Sequence, residues 1–421
     1  MIPRSTPLLL TASGALLALA ACSSSPAASD ATGSDATSSG ATSSGAADSD
    51  GHGYVQGAAE MQEPQLRLVT LSGAVLSAFD PATEESVELA EFDGDVTRLE
   101  TDGRYAFASS ADGVLRIVDG GAWTVPHGDH SHYYLAEPRV VGEIDGGAGE
   151  ARVASSATLT AAWFGDSGTG VVLDAEALAA GGIEERGRIE GVPHDGALLP
   201  LGDVLVGSVA EEGDERASSV AVFSADGEAT GDSAECLELS GSAITRVGAV
   251  FGCADGAVLA VAGDDGVAFE RIPYPEGTVA ADVAGAFSSR PGRPSVAAVA
   301  GERGAWLLDT RARTWTLIPT AEPLLAASAV SDTDDTVVGL DRSGRVVALI
   351  PEGGAAATDP LLAADLVDGR LPAGVSLEVD VSRAYVNSPA TGLVHEIDYD
   401  DSARLARSFA LDARLLVETG R

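Results

Sequence analysis

A short stretch of the chain, from Pro126 to Tyr134, holds three of the six histidines in the sequence. His130 and His132 are two positions apart, so in an extended segment both imidazoles point to the same face. Two nitrogens on one face can reach a single metal ion, and His127 and Asp129 are near enough to add a ligand or a supporting acceptor. The pattern therefore indicates a metal site, although a polar surface loop would also account for it.

Two further histidines, His194 and His395, are candidates for the same site. His194 lies in a turn that opens a strand unit, where it could simply stabilise the turn. His395 alternates with Leu393 and Ile397 on an apolar strand face, where a buried histidine without a metal role is the more common case. Imidazoles with a carboxylate suit Zn²⁺, whereas thioether copper sites are excluded because the chain has only 2 methionines. The candidate zinc ligands are His130, His132, His194, His395, His127 and Asp129.

The composition favours a β-rich fold. The 421 residues are 45% hydrophobic, enough for a sizeable core, but only 5% aromatic, and 50 of them are glycines. Many glycines and few aromatic residues fit short strands joined by turns better than a helical bundle. The net charge of −39 makes nucleic acid a poor partner and a cation a plausible one.

The first 53 residues are predicted to lie outside the folded domain. Residues 1–22 have the pattern of an export signal, with an apolar run that is too short to span a membrane as a helix. The run ends in a lipobox, Leu19–Cys22, in which Cys22 receives a diacylglycerol and becomes the mature N-terminus. Residues 23–53 are nearly all small or polar and predict a disordered tether. We therefore expect an extracytoplasmic lipoprotein with its folded domain at residues 54–421.

Short β-patterns dominate from Leu66 onward. One unit recurs, consisting of a small or polar residue, a glycine and an alternating strand, as at Gly73, Gly113, Gly304 and Gly344. The glycines return at intervals of roughly 40 to 50 residues, which is the spacing of propeller blades. The sequence thus predicts an all-β propeller, with eight blades favoured over seven.

The interval between Gly113 and Gly170 is longer than the others. The extra residues lie around the histidine stretch and the Tyr133–Arg139 segment that follows it. We therefore interpret this stretch as an insertion or an elongated connection between blades. Binding residues on a loop over a rigid scaffold are a common arrangement.

Once Cys22 is assigned to lipid, two cysteines remain, Cys236 and Cys253. An even pair in an exported chain favours a disulfide, and the spacing is not that of a CxxC redox motif. Thiolate ligation of a metal is the alternative reading of this pair.

Sequence signatures of enzymes are missing. The chain has no nucleophile elbow, no HExxH and no phosphate loop next to a βαβ unit. A quinoprotein-like dehydrogenase would share the predicted fold, but no cofactor motif is visible. We therefore expect that the protein is not an enzyme.

The sequence resembles the AztD zinc metallochaperones, a family of exported β-propellers that work with zinc-specific ABC transporters. The resemblance covers nearly the whole predicted domain. It rests on His127–Tyr134 with Pro138–Arg139, on Gly53–Gly57 with Glu63–Gln65, on Pro193–His194, on Cys236 with Gly252–Gly256, and on Val394–Asp398.

The resemblance implies a protein that holds Zn²⁺ and passes it to the solute-binding protein of a zinc ABC importer. It would act as a monomer at the outer face of the membrane, attached through its lipid anchor. The alternative is a propeller that serves only as a platform for protein interactions, with structural histidines and no role for a metal.

Overall fold

The computed structural model describes residue 55 and residues 57–92, 94–127 and 130–421. Cys22, the predicted signal peptide, the tether and Asp129 lie outside the described residues, and of Pro126 and His127 only the backbone is described. Within these ranges the chain is almost entirely β-structure, with one short α-helix, α1 (Ala175–Ala180), and one 3₁₀ turn (Ala280–Asp282). No helix in the described part is long and apolar enough to cross a membrane.

Short strands separated by turns fill the first half of the domain. In chain order they are β1 (Ala59–Met61), β2 (Arg67–Ser72), β3 (Val75–Asp80), β4 (Glu85–Glu91), β5 (Val96–Thr101), β6 (Tyr105–Ser110), β7 (Val114–Asp119), β8 (Ala122–His127), β9 (His130–Leu135), β10 (Arg139–Asp145), β11 (Ala151–Ser155), β12 (Leu159–Phe164), β13 (Thr169–Asp174), β14 (Glu185–Glu190), β15 (Leu198–Leu201), β16 (Val204–Val209), β17 (Ser219–Ser224) and β18 (Ala229–Glu235).

The second half continues in the same way. Its strands are β19 (Gly241–Ile244), β20 (Ala249–Cys253), β21 (Gly256–Gly263), β22 (Gly266–Pro273), β23 (Ser295–Val299), β24 (Gly304–Asp309), β25 (Thr314–Pro319), β26 (Leu324–Ala329), β27 (Val337–Asp341), β28 (Val346–Ile350), β29 (Gly354–Ala357), β30 (Leu377–Val379), β31 (Ala384–Ser388), β32 (Leu393–Asp398), β33 (Arg404–Ala410) and β34 (Leu415–Thr419).

The recurring glycines stand where the turns need them. Gly113 and Gly344 have φ of +86° and +83°, in the left-handed region that glycine adopts without strain. A Cβ at Gly113 would lie 2.6 Å from the backbone nitrogen of Ala148, and one at Gly344 would lie 2.8 Å from that of Ala363. Any other residue at these two turns would therefore clash with the neighbouring backbone.

The strands form antiparallel sheets that follow one another along the chain. The first sheet has the order β34-β2-β3-β4, and the second has the order β10-β7-β6-β5. Six more sheets contain β11–β14, β15–β18, β19–β22, β23–β25, β26–β29 and β30–β33. A separate three-stranded sheet, here called the hairpin sheet, has the order β1-β9-β8.

The last strand completes the first sheet. In the register of β34 with β2, Val417 pairs with Val69 and Leu415 pairs with Leu71. The two ends of the domain are thereby joined by backbone hydrogen bonds, and the row of sheets closes on itself. Closure of this kind protects the sheet edges of a propeller.

Hydrophobic clusters fill the contacts between consecutive sheets. Between the eighth sheet and the first, Phe79 packs against Phe409 with ring centroids 5.0 Å apart, and Leu68 packs in the same cluster as Tyr385 and Val394. Equivalent clusters of buried residues join each of the other neighbouring pairs of sheets in the described chain. The predicted all-β propeller is therefore confirmed.

The histidine stretch is an insertion, but its place differs from the predicted one. Strands β8 and β9 leave the second sheet after β7, and the chain returns to the same sheet as β10. The insertion therefore lies between two strands of one sheet, whereas the sequence suggested a connection between blades. Strand periodicity could not distinguish these cases, because β8 and β9 have the same short alternating pattern as the strands of the sheets.

The cysteine pair and the central cavity complete the scaffold. Cys236 and Cys253 form a disulfide, as predicted, and both residues are buried in the cluster between the fourth and fifth sheets. A cavity of about 490 Å³ is lined by β5, β11, β15, β19, β30 and β34, which contribute residues such as Glu100 and Val417. No described residue of the hairpin sheet lines this cavity, so the histidine stretch lies apart from it.

A buried carboxyl group lies beside the closure of the ring. Glu418 is 0% exposed, and neither of its carboxylate oxygens has a hydrogen-bond partner among the described residues. Burial is the main cause that raises the pKa of Glu418 to about 8; Arg421 and Arg290 oppose the rise, and Asp380 and Glu378 contribute to it. The neutral acid is thus the favoured form of Glu418 in the folded state near pH 7.

We predict that Glu418→Gln reduces the pH dependence of stability. The folded state holds this proton up to about pH 8, whereas an unperturbed Glu side chain, as in the unfolded chain, loses it near pH 4.5. The free energy of unfolding therefore falls as pH rises between these values, by an amount on the order of 3 kcal/mol. Urea unfolding at pH 5 and pH 8 measures the difference. Equal pH slopes in the parent and the variant would contradict the prediction.

Candidate metal site

The hairpin sheet positions the histidine stretch on strand β9. In the register of β8 with β9, Trp123 pairs with Tyr134, Val125 with His132 and His127 with His130. Alternation along β9 places His130, His132 and Tyr134 on one face of the sheet. The extended geometry expected from the sequence is therefore present.

His130 and His132 direct their imidazoles toward each other. The two Nε2 atoms are 3.2 Å apart, and the ring planes meet at 68°. His132 is 9% exposed, whereas His130 is exposed at the surface. The pair thus combines one fixed imidazole with one that solvent and other molecules can reach.

The carboxylate of Glu60 on β1 contacts the ring nitrogen of His132 that faces away from His130. The Nδ1 atom of His132 lies 2.6 Å from Oε1 of Glu60 on β1. The side chain of Glu60 is 45% exposed, compared with 10% for His132. Metal-binding histidines commonly donate their second N–H to a carboxylate in this way, because the contact fixes the ring orientation and makes the imidazole more basic.

A stack of rings holds His132 on its other side. The rings of His132 and Tyr134 are nearly parallel at 23°, with centroids 6.3 Å apart, and Tyr134 stacks on Trp123 at 5.2 Å. The guanidinium of Arg104 lies 3.9 Å from the centroid of the Trp123 ring and forms an ion pair of 2.9 Å with Asp119. This stack anchors the hairpin on the second sheet.

The hairpin is also connected to the closing strand of the propeller. The Oγ1 hydroxyl of Thr124 donates to the carbonyl oxygen of Gly420 at 2.9 Å, directly after β34. The amide of Gly420 donates in turn to the carbonyl oxygen of Gly103 at 2.6 Å. The base of the hairpin thus depends on the closed ring beneath it.

The spacing of the two Nε2 atoms fits chelation. Two nitrogens at 2.0–2.1 Å from a tetrahedral zinc ion are about 3.3 Å apart, close to the observed 3.2 Å. No group of three or more His, Cys, Asp or Glu side chains suited to hold a metal is present among the described residues. Glu60 cannot be the third ligand in this geometry, because it contacts Nδ1 on the opposite side of the ring from Nε2.

His194 lies in another environment, at the start of the fourth sheet. Its Nδ1 is 2.7 Å from the carbonyl oxygen of Val192, and its Nε2 is 2.7 Å from the hydroxyl of Ser208. Its ring packs on Trp163 at 4.9 Å between centroids, and the residue is 5% exposed. Both ring nitrogens are thus engaged in hydrogen bonds within the propeller.

His395 is buried in the eighth sheet. Its Nδ1 is 2.9 Å from the hydroxyl of Ser408, and its Nε2 has no hydrogen-bond partner among the described residues. Burial lowers the pKa of His395, and the nearby carboxylate of Asp365 only partly offsets this effect. The structure does not bring His194 or His395 to the His130–His132 pair.

Sequence reasoning missed Glu60. This residue is far from the histidines along the chain, and one acidic residue among 64 carries no signal of its own. Only the pairing of β1 with β9, with Glu60 opposite Tyr134, brings it to His132. A prediction of that strand pairing would have been needed to find it.

Structural comparison shows which solved propellers have a similar fold. A search of protein-family models finds no match. The structure is similar to that of Citrobacter koseri AztD, with a TM-score of 0.71 at 18% sequence identity over 85% of this chain and 98% of that one. The apo AztD structure from C. koseri gives a TM-score of 0.70 at 17% identity, with the same coverage.

A dehydrogenase propeller is a more distant neighbour. Dihydro-heme d1 dehydrogenase NirN has a TM-score of 0.52 at 14% identity over 85% of this chain and 75% of that one. At these identities the comparisons establish the fold. The chain therefore has an AztD-type β-propeller fold, as the sequence resemblance implied.

We predict that His194→Ala destabilises the fold. The change removes two buried hydrogen bonds and the contact with Trp163, so the free energy of unfolding should fall by roughly 1–3 kcal/mol. Urea unfolding of the metal-free protein measures the loss. His130→Ala, at an exposed position, is the control and should change stability much less. Equal stability of His194→Ala and the parent would show that its contacts contribute nothing.

Proposed function

We propose that this protein is an extracytoplasmic, lipid-anchored metallochaperone that delivers Zn²⁺ to the solute-binding protein of a zinc ABC importer. The observation that supports it best is the convergence of the Nε2 atoms of His130 and His132, 3.2 Å apart, with Glu60 behind His132. Two imidazoles with a carboxylate behind one of them are a donor set that suits zinc. The AztD-type fold and the sequence resemblance point to the same cargo.

A complete site needs ligands beyond the histidine pair. In backbone register His127 lies directly opposite His130, and Asp129 stands between the two in the sequence. Either residue is a candidate for the third ligand, and water or a group of the acceptor protein can occupy a fourth position. His194 and His395 are left out of the proposed set, because they lie in other sheets and have other surroundings.

The position of the site suits transfer of a cargo ion. His130 is exposed at the tip of a hairpin, so a partner protein can approach it without opening the propeller. A site with few protein ligands allows a stepwise exchange, in which each incoming ligand replaces one outgoing imidazole. Transfer of this kind needs no catalytic step, because zinc is bound and released unchanged.

The double variant His130→Ala/His132→Ala should lose zinc binding. Removal of both converging nitrogens takes away the chelating pair and leaves the propeller core untouched. We expect the parent to bind one zinc ion and the variant to bind none in a titration at micromolar zinc, with similar thermal unfolding of the two metal-free proteins. Affinity in the parent should fall as pH drops through about 6.5, since protonated imidazole cannot bind a metal.

His194→Ala is the matched control for this titration, because it removes an imidazole that the proposal leaves outside the site. It should keep the parent's zinc stoichiometry in spite of its lower stability. Unchanged binding by the double variant, or no binding by the parent, would overturn the proposal and favour a platform for protein interactions.

The lipid anchor is tested separately from the metal. Because the thiol of Cys22 in the lipobox would carry the diacylglycerol, Cys22→Ala should move the protein from the membrane fraction to the soluble extracytoplasmic fraction. Immunoblotting of separated fractions measures the shift, and Cys22→Ala should not alter zinc binding by the folded domain. An unchanged membrane association would contradict the lipoprotein assignment.

A further inference from the structure

Strand β1, near the N-terminal end of the domain, brings the carboxylate of Glu60 to the proposed metal site. It pairs with β9 over three residues, with Ala59 opposite Leu135 and Glu60 opposite Tyr134. Ala59 and Glu60 are exposed, and β1 stands at the edge of the hairpin sheet, with β9 as its partner. The sheet therefore gains little buried surface from β1, and the main contact that this strand adds is that of Glu60 with His132.

The contact determines which nitrogen of His132 carries the proton. A carboxylate at 2.6 Å from Nδ1 accepts a hydrogen bond, so the neutral ring is held as the Nδ1–H tautomer. The lone pair of Nε2 is then directed toward His130, whose Nε2 lies 3.2 Å away. A metal ligand needs this lone pair, and in this tautomer His132 needs no proton shift before it binds.

We propose that Glu60 is a positioning residue of the metal site, which fixes the tautomer and orientation of His132 and thereby sets the affinity for zinc. This inference rests on the proposed zinc-binding function. Glu60 acts through His132 and does not itself touch the ion. Its short edge strand makes the affinity depend on whether β1 is docked on β9.

Two substitutions of Glu60 separate hydrogen bonding from charge. Glu60→Ala removes both the hydrogen bond and the charge. Its dissociation constant for zinc should be roughly 10–100-fold higher than that of the parent. Glu60→Gln keeps an oxygen that can accept from Nδ1 but lacks the negative charge, so its affinity should lie between those of the other two proteins. Competition titration with a chromophoric zinc chelator measures all three.

Glu63→Gln is the matched control, because it removes the same charge from an exposed position shortly after β1. Its zinc affinity should equal that of the parent. A weakening by Glu63→Gln as large as that by Glu60→Gln would assign the effect to general electrostatics and overturn the positioning role.

A measurement without metal distinguishes this inference from the proposed function. In ¹⁵N NMR spectra of the metal-free parent, the side-chain nitrogens of His132 should report the Nδ1–H tautomer. Glu60→Gln should retain this signature and Glu60→Ala should lose it, while the thermal unfolding of all three proteins stays similar.

Zinc binding by the parent and the tautomer of His132 test the two proposals separately. A parent that binds no zinc overturns the proposed function, and the tautomer spectra still decide whether Glu60 controls His132. A parent that binds zinc, with the same affinity and the same His132 tautomer in Glu60→Ala, overturns the inference and leaves the proposed function in place.

Discussion

The pairing of β34 with β2 is the constraint on which the rest of the molecule depends. Each sheet has two apolar faces and can bury them only against neighbours on both sides, so an open row would expose the outer faces of its two end sheets. The hydrogen bonds of β34 with β2 join the last strand to the first sheet. The cluster of Phe79 with Phe409 then buries the outer faces of the two end sheets against each other. Arg421 reinforces the junction, because its Nη1 donates to the carbonyl oxygen of Val379 in the eighth sheet at 3.0 Å.

The histidine hairpin is an addition to this ring and has different physical requirements. The apolar contacts between neighbouring sheets are closely packed and offer a ligand no room to exchange. The hairpin carries its histidines outside the ring, while the Arg104–Trp123–Tyr134 stack and the bond from Thr124 to Gly420 hold its base in place. The same hairpin thus has a fixed end, which sets the geometry of His132, and an end at His130 that is exposed to solvent.

The sequence predicted the propeller, the disulfide and the insertion, because each left a local signal: glycines at a regular interval, an even cysteine pair and one long interval. The face shared by His130 and His132 followed from strand alternation. Sequence reasoning could not find Glu60, which reaches the site through a pairing of distant strands. It also grouped His194 and His395 with the site, because ligand types in a sequence carry no information about which sheet they occupy. Their contacts with Ser208 and Ser408 are visible only in three dimensions.

Because the first sheet is completed by the last strand, the order of synthesis matters for this chain. While the ribosome is still making the second half, β2, β3 and β4 have no β34, and the cluster around Leu68 lacks its partners from the eighth sheet. The nascent chain therefore cannot reach its final fold before β34 has been made. Gly420, which supports the histidine hairpin through Thr124, is made even later than β34. Closure of the ring and support of the hairpin therefore both wait for strand β34 and the residues that follow it.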